Sequence, residues 1–585
     1  MSRKYLNFLF YKISLFLLGI YLSFFTPFIQ VKISFIYKKF IDTLVMSGSW
    51  SSVKPLFIFL LTLYFLMYLL TFLSAYFLSI WGEYFTYNIK QFIFKHIQNL
   101  EYLYHIKHSA SFFISRILSD PSLLQAHLFR IYFAFLKELP TALILFFGIL
   151  FLNPRFALFS LMLAPLILFI NLFVSPIIKE KTNDLQKNMT YLYSHLQESV
   201  SGITTIKSLI GEEKNFKTFC EVLYKCTKSS LSLIKSNLLL SNLNSFISSS
   251  FFILLLFIIA PMLSFNNFTI GDLFALNILM SNFINSLNNI ISIIPEIKAI
   301  SIPIKRIKEI LELPLENEGN LNLSLNLKEV EFKNVGFSFN ENGKGFEMKD
   351  LNFTIKKGEK IAIIGPSGAG KSTLVKLMLN FLKPQNGEIF INGIPVQNIR
   401  KKELRKKILY FPQEYFLFSD TILENVIFPE ENKELSIVEE ATKMTKIYQK
   451  ISSLPEKFNT KLERNGSNFS GGERQRIVLS RLFVKKDWEI LILDESFKEI
   501  DLSTENEVLQ KILERYKDLT IIYITHRLNS IKNFDKIIFL KNGKIEGIGK
   551  HEDLMKNCEA YKKIFLKQGG KNDVELFNFY SGINK

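Results

Sequence analysis

Apolar residues gather in six runs across the first half of the chain, near 13–36, 56–81, 133–152, 156–176, 246–264 and 273–294. Each is long enough to cross about 30 Å of hydrocarbon as a helix. Only "NPR" separates the third run from the fourth, and "SFNNFTIGD" the fifth from the sixth. Long helix-compatible stretches follow the second and fourth runs and carry most of the base. Lys90, Lys95, Lys107, Arg116 and Arg130 lie in one, and Lys179, Lys181, Lys187, Lys207, Lys214, Lys217, Lys225, Lys228 and Lys235 in the other. Excess Lys and Arg mark cytosolic segments, so both stretches and both termini are placed inside. Lys32, Lys38 and Lys39 then fall at the outer end of the first helix, where they are expected to snorkel. The long stretches read as extensions of the membrane helices. They are expected to turn back at "DPSLLQAHL" (120–128) and "GEEKNFKTF" (211–219), where a breaker or an acidic start precedes a short amphipathic stretch.

The sixth run is unusually polar. At about 100° per residue, Asn277, Ser281, Asn282, Asn285, Ser286, Asn288 and Asn289 fall on one half of a helix. Leu279, Met280, Phe283, Ile284 and Leu287 fall on the other. Amides facing lipid are costly, so the polar half is expected to face protein or a water-filled cavity. Interhelical hydrogen bonding and the lining of a pathway both fit. With no acid or base in the fifth or sixth run, a strongly charged cargo has no counter-ion there.

Beyond a polar linker at 312–327 the pattern changes to alternating strands and helices. "IAIIGPSGAGKSTLVKLML" gives an apolar strand, a Gly-rich turn and an amphipathic helix. Gly365, Gly370, Lys371 and Ser372 satisfy G-x-x-x-x-G-K-[ST]. Glycines let backbone N–H groups approach phosphate oxygens, the helix N-terminus adds its dipole, Lys371 reaches the outer phosphates and Ser372 offers a hydroxyl to Mg²⁺. The boundaries read as a membrane domain at 1–311, a nucleotide-binding domain at 328–570 and a tail at 571–585.

The net charge is +18, but the bases are scattered and no nucleic-acid motif accompanies them, so membrane topology explains them and nucleic acid is not an expected partner. Cys220, Cys226 and Cys558 have neither disulfide nor metal-ligand spacing. The N-terminus is basic and then apolar without a small-residue cleavage site, and reads as an uncleaved first span. Since that span begins within the first dozen or so residues, no peptidase domain is expected ahead of it, which argues against a leader-cleaving peptide exporter.

Four further stretches narrow the nucleotide chemistry. "YFPQEYFLFSDTILENV" holds Gln413, "NGSNFSGGERQRIVLSRLF" holds Ser470, Gly471 and Gly472, "ILILDE" ends in Asp494 and Glu495, and "IIYITHRL" places His526 after an apolar strand. Singly each has a plain structural reading, such as a helix cap for SGGE. In this order after a phosphate loop, they resemble the ATP-binding cassette transporters, and more narrowly the exporter-type half-transporters. "SRILSD", "SGITTIKSLIGEE" and "LKNGKIEGIGKHEDLM" also look like that family. The resemblance covers nearly the whole chain. It implies an all-α six-helix transmembrane domain of exporter type, with two cytosolic coupling helices, followed by an α/β P-loop ATPase domain.

What the resemblance implies can be placed residue by residue. Two such domains sandwich two ATP molecules head to tail. Gly365, Pro366, Ser367, Gly368, Ala369, Gly370, Lys371, Ser372 and Thr373 would hold phosphates and Mg²⁺, and Phe339 would stack on adenine where Tyr is commoner. Ser470, Gly471 and Gly472 would close over the partner subunit's γ-phosphate, with Asp501 nearby. Asp494 would support Mg²⁺ with Ser372 and Gln413, Glu495 would be the general base, and His526 would orient the water. Positioning and electrostatics supply most of the rate in such chemistry. Two departures stand out. The signature reads "FSGGE" rather than LSGGQ. After Glu495 the family's Ser-Ala-Leu-Asp becomes Lys498, Glu499, Ile500 and Asp501, which bears on communication between subunits rather than on the base.

The function implied is ATP-driven export of an amphipathic or hydrophobic substrate, a drug-like molecule or peptide, by a homodimer or a heterodimer with a related half-transporter. It would sit in the inner membrane of a bacterium with the ATPase domain in the cytosol. The alternatives are a flippase for lipid or lipid-linked glycan, for which Lys12, Lys32 and Lys137 form only a weak basic cluster, import on the same scaffold, and a non-transporting ATP-gated regulator, which the presence of Glu495 disfavours.

Overall fold

Long helices account for all six apolar runs. They are α1 (Ile13–Ser47), α2 (Trp50–Gln98), α4 (Ala110–Tyr132) continued through a π-helical turn at Phe133–Glu138 into α5 (Leu139–Leu152), α6 (Pro154–Ser201), α8 (Glu212–Ser264) and α9 (Ile270–Ile291). Short helices α3 (Tyr102–Lys107) and α7 (Ile203–Ser208) lie at the two sharp reversals. The computed structural model describes residues 12–568, apart from residues 49, 265–267, 323–325, 340–345 and 432. The tail at 571–585 and the centre of the last outer loop lie outside the described residues. Two compact units emerge, residues 1–99 with 108–313, and residues 100–107 with 314–585. Among the described residues, four stretches are long and apolar enough to cross a membrane: Ile13–Met46, Trp50–Gln98, Ala110–Leu152 and Ile270–Ile291.

In the first unit, local sequence sets where helices begin. Asn153 caps α6 by accepting from the Arg155 N–H, and Pro154 occupies the first turn, where no N–H is needed. Thr269 and Asp272 form a capping box for α9. Asp42 of α1 reinforces it, its carboxylate accepting from Gly271 N at 2.9 Å and Thr269 Oγ1 at 3.0 Å. Lys38, expected to snorkel, instead pairs with Asp272 at 2.5 Å. Leu279, Met280, Phe283 and Ile284 of α9 are buried in a core shared with Leu145 and Ile149 of α5. Of the polar half, Ser281, Asn285 and Asn289 are exposed, Asn277, Asn282 and Asn288 are half-buried and Ser286 is buried, so only one edge of it faces out of the protomer.

The reversals are not where the sequence places them. Residues 120–128 lie inside α4, and of 211–219 only Gly211 belongs to the turn, 212–219 forming the start of α8. Asp-Pro reads as a break, but Asp120 is 1% exposed and held by Arg116 and by Arg306, each at 3.5 Å. That tertiary pairing carries the helix through Pro121. The chain turns instead at 99–109, where Ser109 caps α4, and at 202–211, between two glycines. Leu100 pairs with Leu315 in an antiparallel bridge, and Tyr102 stacks on Phe381 with centroids 4.9 Å apart, so 100–107 packs within the second unit.

The second unit contains two sheets. An antiparallel sheet has the order β2-β1-β4-β5, built from Glu329–Ser338 (β1), Glu347–Lys356 (β2), Asn386–Ile391 (β4) and Ile394–Pro395 (β5). The other runs β10-β9-β3-β8-β7-β6, from Lys360–Ile364 (β3), Ile408–Phe411 (β6), Ile490–Asp494 (β7), Thr520–Ile524 (β8), Lys536–Lys541 (β9) and Lys544–Gly549 (β10). Its β9-β3-β8-β7-β6 portion is parallel. Strands β7 and β8 are buried at every position, as expected of a parallel sheet covered on both faces. Because β3, β7 and β8 are neighbours running the same way, the loops that follow them open at one edge, where ligands of such sheets bind.

One buried ion pair anchors that edge. Glu505, on the helix Leu502–Arg515, is 0% exposed and accepts from the Tyr523 phenol at 2.6 Å and from Arg527. Arg527 also donates to the Ile500 carbonyl at 3.2 Å. Removing Arg527 strands the fully buried Glu505 carboxylate, at a cost of about 3 kcal/mol, the low end because Arg527 itself is 36% exposed. Arg527→Met should therefore lower the melting temperature of the second unit, read by scanning fluorimetry on the full chain. An unchanged melting temperature would remove this pair from the account.

Candidate functional site

The loop after β3 carries 365–370 into α10 (Lys371–Met378). A Cβ on Gly365 would stand 2.1 Å from the Leu540 carbonyl oxygen, and Gly370 has φ +101°, so neither position admits a side chain without distortion. Ala369 is buried and its N–H donates to the Pro366 carbonyl at 3.1 Å, which closes the turn holding Ser367 and Gly368. Lys371 Nζ donates to the Gly365 and Pro366 carbonyls at 2.9 and 3.2 Å and lies 3.5 Å from His526 Nε2. Burial pulls the Lys371 pKa below its ordinary value, against the opposing pull of Glu495 and Asp494. Ser372 and Thr373 follow in the first turn of the helix.

Strand β7 ends in Asp494, 1% exposed. One carboxylate oxygen accepts from the Tyr410 phenol at 3.1 Å, while Oδ1 is buried with no hydrogen-bond partner. Burial raises the Asp494 pKa, with the neighbouring Glu495 adding to the rise and hydrogen bonds from Ser372 and Tyr410 opposing it. A buried carboxylate oxygen without a donor, beside a serine hydroxyl at a phosphate loop, fits a divalent cation held by Ser372 and by Asp494. Among the described residues there is no cluster of three or more His, Cys, Asp or Glu ready to hold a metal, so phosphate oxygens would have to supply the other ligands.

Glu495 follows with φ +47°, a left-handed conformation that costs a non-glycine residue free energy. The conformation is held because the Glu495 N–H donates to the Ile524 carbonyl of β8 and its carbonyl accepts from the Lys498 N–H. This turn aims the carboxylate between two side chains. His526 Nε2 lies 2.6 Å from Oε1, and Gln413 Nε2 donates to Oε2 at 2.8 Å. Glu495, His526 and Gln413 thus meet at the open edge with Lys371 and Asp494.

The remaining sequence-predicted residues sit elsewhere in the second unit. Ser470 caps the helix Gly471–Val484, in a reciprocal box with Glu473 that includes Gly471 and Gly472 in the first turn. Asp501 caps the helix after the base, accepting from Thr504 N at 2.8 Å, which lowers its pKa. Phe339 packs edge-on against Phe337 and lines a cavity of about 140 Å³ with Phe381, Lys383 and Gln385. A ring that does meet the loop is Phe346, whose Cζ would lie 2.6 Å from a Cβ on Gly370. Sequence reasoning passed over Phe346, Tyr410 and Tyr415. The aromatic closing the Gly-rich "NGKGF" and the two tyrosines flanking Gln413 were the available signals.

Residues 16–287 match the family model of the ABC transporter transmembrane region, and residues 348–498 match that of the ABC transporter. The chain is 27% identical over 547 residues to "Lactococcin-A transport/processing ATP-binding protein LcnC" of Lactococcus lactis subsp. lactis, covering 93% of this chain and 75% of that protein. It is 30% identical over 519 residues to "Uncharacterized ABC transporter ATP-binding protein YfiB" of Bacillus subtilis (strain 168), covering 86% and 87%. The solved "Structure of a bacterial Atm1-family ABC exporter with ATP bound" has the same fold, with TM-score 0.80 and 22% identity over 95% of this chain and 98% of that one.

The strained charge at Asp494 gives a signed prediction. Its folded pKa lies above the ordinary 3.8, so the cost of burying the charge is absent below that pH, grows as pH rises through it and is complete at neutrality. Nucleotide-free Asp494→Asn should melt at or above the wild-type temperature at pH 7, with the gap closing as the pH approaches 3.8, and should lose the stabilisation that Mg-ATP confers. A lower melting temperature at pH 7 would mean that the charge is already neutralised by the protein.

Proposed function

Because this chain belongs to the ABC transporter family, as a half-transporter that fuses a membrane-spanning exporter region to an ATP-hydrolysing domain, we propose that it exports an amphipathic peptide. It would do so as a dimer in a bacterial inner membrane, with the ATPase unit in the cytosol. The observation that carries the ATPase part is the Glu495 carboxylate held between His526 and Gln413, beside Lys371 and Asp494. In this reading Glu495 accepts a proton from the attacking water. His526 and Gln413 fix the carboxylate so that one lone pair faces that water, while Lys371 leaves the loop carbonyls for the outer phosphates. Mg²⁺, held by Ser372 and Asp494, would neutralise charge on the phosphate oxygens.

Ser470, Gly471 and Gly472 would close over a nucleotide bound to the phosphate loop of a second copy or of a related half-transporter. Phe339 would pack on adenine, and Phe346, which reaches the phosphate loop at Gly370, would flank the nucleotide.

The cargo class rests on the membrane unit. The exposed edge of α9, with Ser281, Asn285 and Asn289, carries amides and a hydroxyl and no charge. Facing lipid, these groups would lose hydrogen bonds to water, so they support a water-filled path or a subunit contact. Uncharged donors and acceptors beside Phe, Leu and Ile suit peptide backbone and apolar side chains together. The transport names of relatives such as the lactococcin-A transport/processing protein support the transport reading.

Purified protein in nanodiscs should show ATPase activity raised at least ~3-fold by amphipathic peptides, an effect of transport-coupled substrate binding. Lipid extracts and lipid-linked glycans should leave it unchanged. Stimulation by lipid alone would replace the peptide reading with a flippase.

A further inference from the structure

We propose that Glu499 is a positioning residue for ATP hydrolysis, tying the Gln413 segment and the Ser470–Gly472 signature to the turn that follows the base. The proposal rests on the ATPase reading above and concerns one of the three positions where this chain departs from Ser-Ala-Leu-Asp.

Glu499 uses its side chain and its backbone on different elements. Its Oε2 accepts from the Tyr415 phenol at 2.7 Å and lies 3.8 Å from the Arg474 guanidinium. The same oxygen is 2.0 Å from where a Cβ on Gly471 would stand, so the carboxylate packs directly on the signature backbone. Its N–H donates at 2.9 Å to Oε1 of Gln475, which is buried one turn into the signature helix. A Cβ on Gly472 would likewise meet the Glu499 carbonyl oxygen at 2.9 Å.

Tyr415 closes the triangle. It has one hydroxyl hydrogen and two acceptors, Glu499 at 2.7 Å and the Gly471 carbonyl at 3.1 Å. The shorter bond to the charged acceptor takes the proton. Burial, together with the Glu499 carboxylate, pushes the Tyr415 phenol up to about 12, so it stays a donor at working pH. Tyr415 follows Gln413 by two residues, and Gln413 holds Glu495. The side chain at 499 therefore fixes both the group that steers the base and the glycines that would meet a second nucleotide. An alanine at 499 removes the carboxylate from both, leaving the Tyr415 hydroxyl only the longer bond to the Gly471 carbonyl.

The phosphate loop takes no part in these contacts, which separates turnover from nucleotide binding. The test measures ATP hydrolysis and ATP-analogue binding by the full chain in nanodiscs for Tyr415→Phe, Glu499→Ala, Glu499→Gln and the Tyr415→Phe/Glu499→Ala double variant. Tyr415→Phe keeps the ring in the core and guards against misfolding. Each of Tyr415→Phe and Glu499→Ala should lower kcat about tenfold, the effect of losing a hydrogen bond to a charged group. The double variant should fall no further than the worse single, because both remove one shared interaction. Glu499→Gln, whose amide oxygen still accepts, should recover part of the loss. Analogue affinity should move less than about twofold. Wild-type turnover in either single variant, a double variant whose loss is the product of the two, or a matching loss of analogue binding would overturn the proposal. A wild-type chain that hydrolyses no ATP would overturn the parent reading instead.

Discussion

Everything in the second unit serves to hold one carboxylate in an unfavourable backbone turn. Glu495 sits at φ +47° at the end of a buried strand, with a histidine on one oxygen and a glutamine on the other. Those three groups come from three loops, and they meet only because β7 lies between β6 and β8 in the sheet. Gln413 follows β6, Glu495 follows β7 and His526 follows β8, and parallel register brings all three ends to one edge. A slip of one residue in either pairing would turn alternate side chains to the opposite face and dissolve the site.

Tethers on residues 496–501 offset the cost of that turn. Between Glu495 and the helix at 502, the chain is tied down at several points. The Ser496 hydroxyl donates to the Phe411 carbonyl at 3.0 Å, Arg527 reaches the Ile500 carbonyl, and Asp501 caps the next helix. The segment whose sequence departs most from the family is thus among the most firmly held parts of the unit. That explains how a cation and an acid replace two small residues without loss of the fold. Lys498 is exposed and contributes its backbone N–H to the turn. The acid beside it, also exposed, lies over the Gly471 backbone and accepts from Tyr415.

Residue chemistry and order made most of the ATPase site legible. Lys371, Gln413, Asp494, Glu495 and His526 converge as the motifs implied, since each motif couples a strand end to a functional side chain. Helical periodicity correctly gave the buried face of α9, because Leu279, Met280, Phe283 and Ile284 share one stripe whatever they pack against. Turn positions were less legible. Asp-Pro at 120–121 looks like a break until Arg306, far along the chain, buries the aspartate. Likewise Lys38 looks like a free snorkelling base until Asp272 meets it. Both depend on partners remote in sequence, which a local pattern cannot report. The tyrosines around Gln413 were hidden for a different reason. In a strand and loop rich in Phe and Tyr, nothing distinguishes a ring that fills the core from one whose hydroxyl holds a carboxylate.

In the proposed mechanism Glu495 is the base, and His526 and Gln413 aim it. The most direct measurement is single-turnover hydrolysis of bound ATP by Glu495→Gln in nanodiscs. The amide keeps the size of the side chain and offers no proton acceptor of comparable strength. The account predicts that ATP still binds, that two chains remain closed around it, and that the hydrolysis step slows by roughly 10²-fold or more. Hydrolysis at the wild-type rate with ATP bound would show that the proton goes elsewhere, and the account would be wrong.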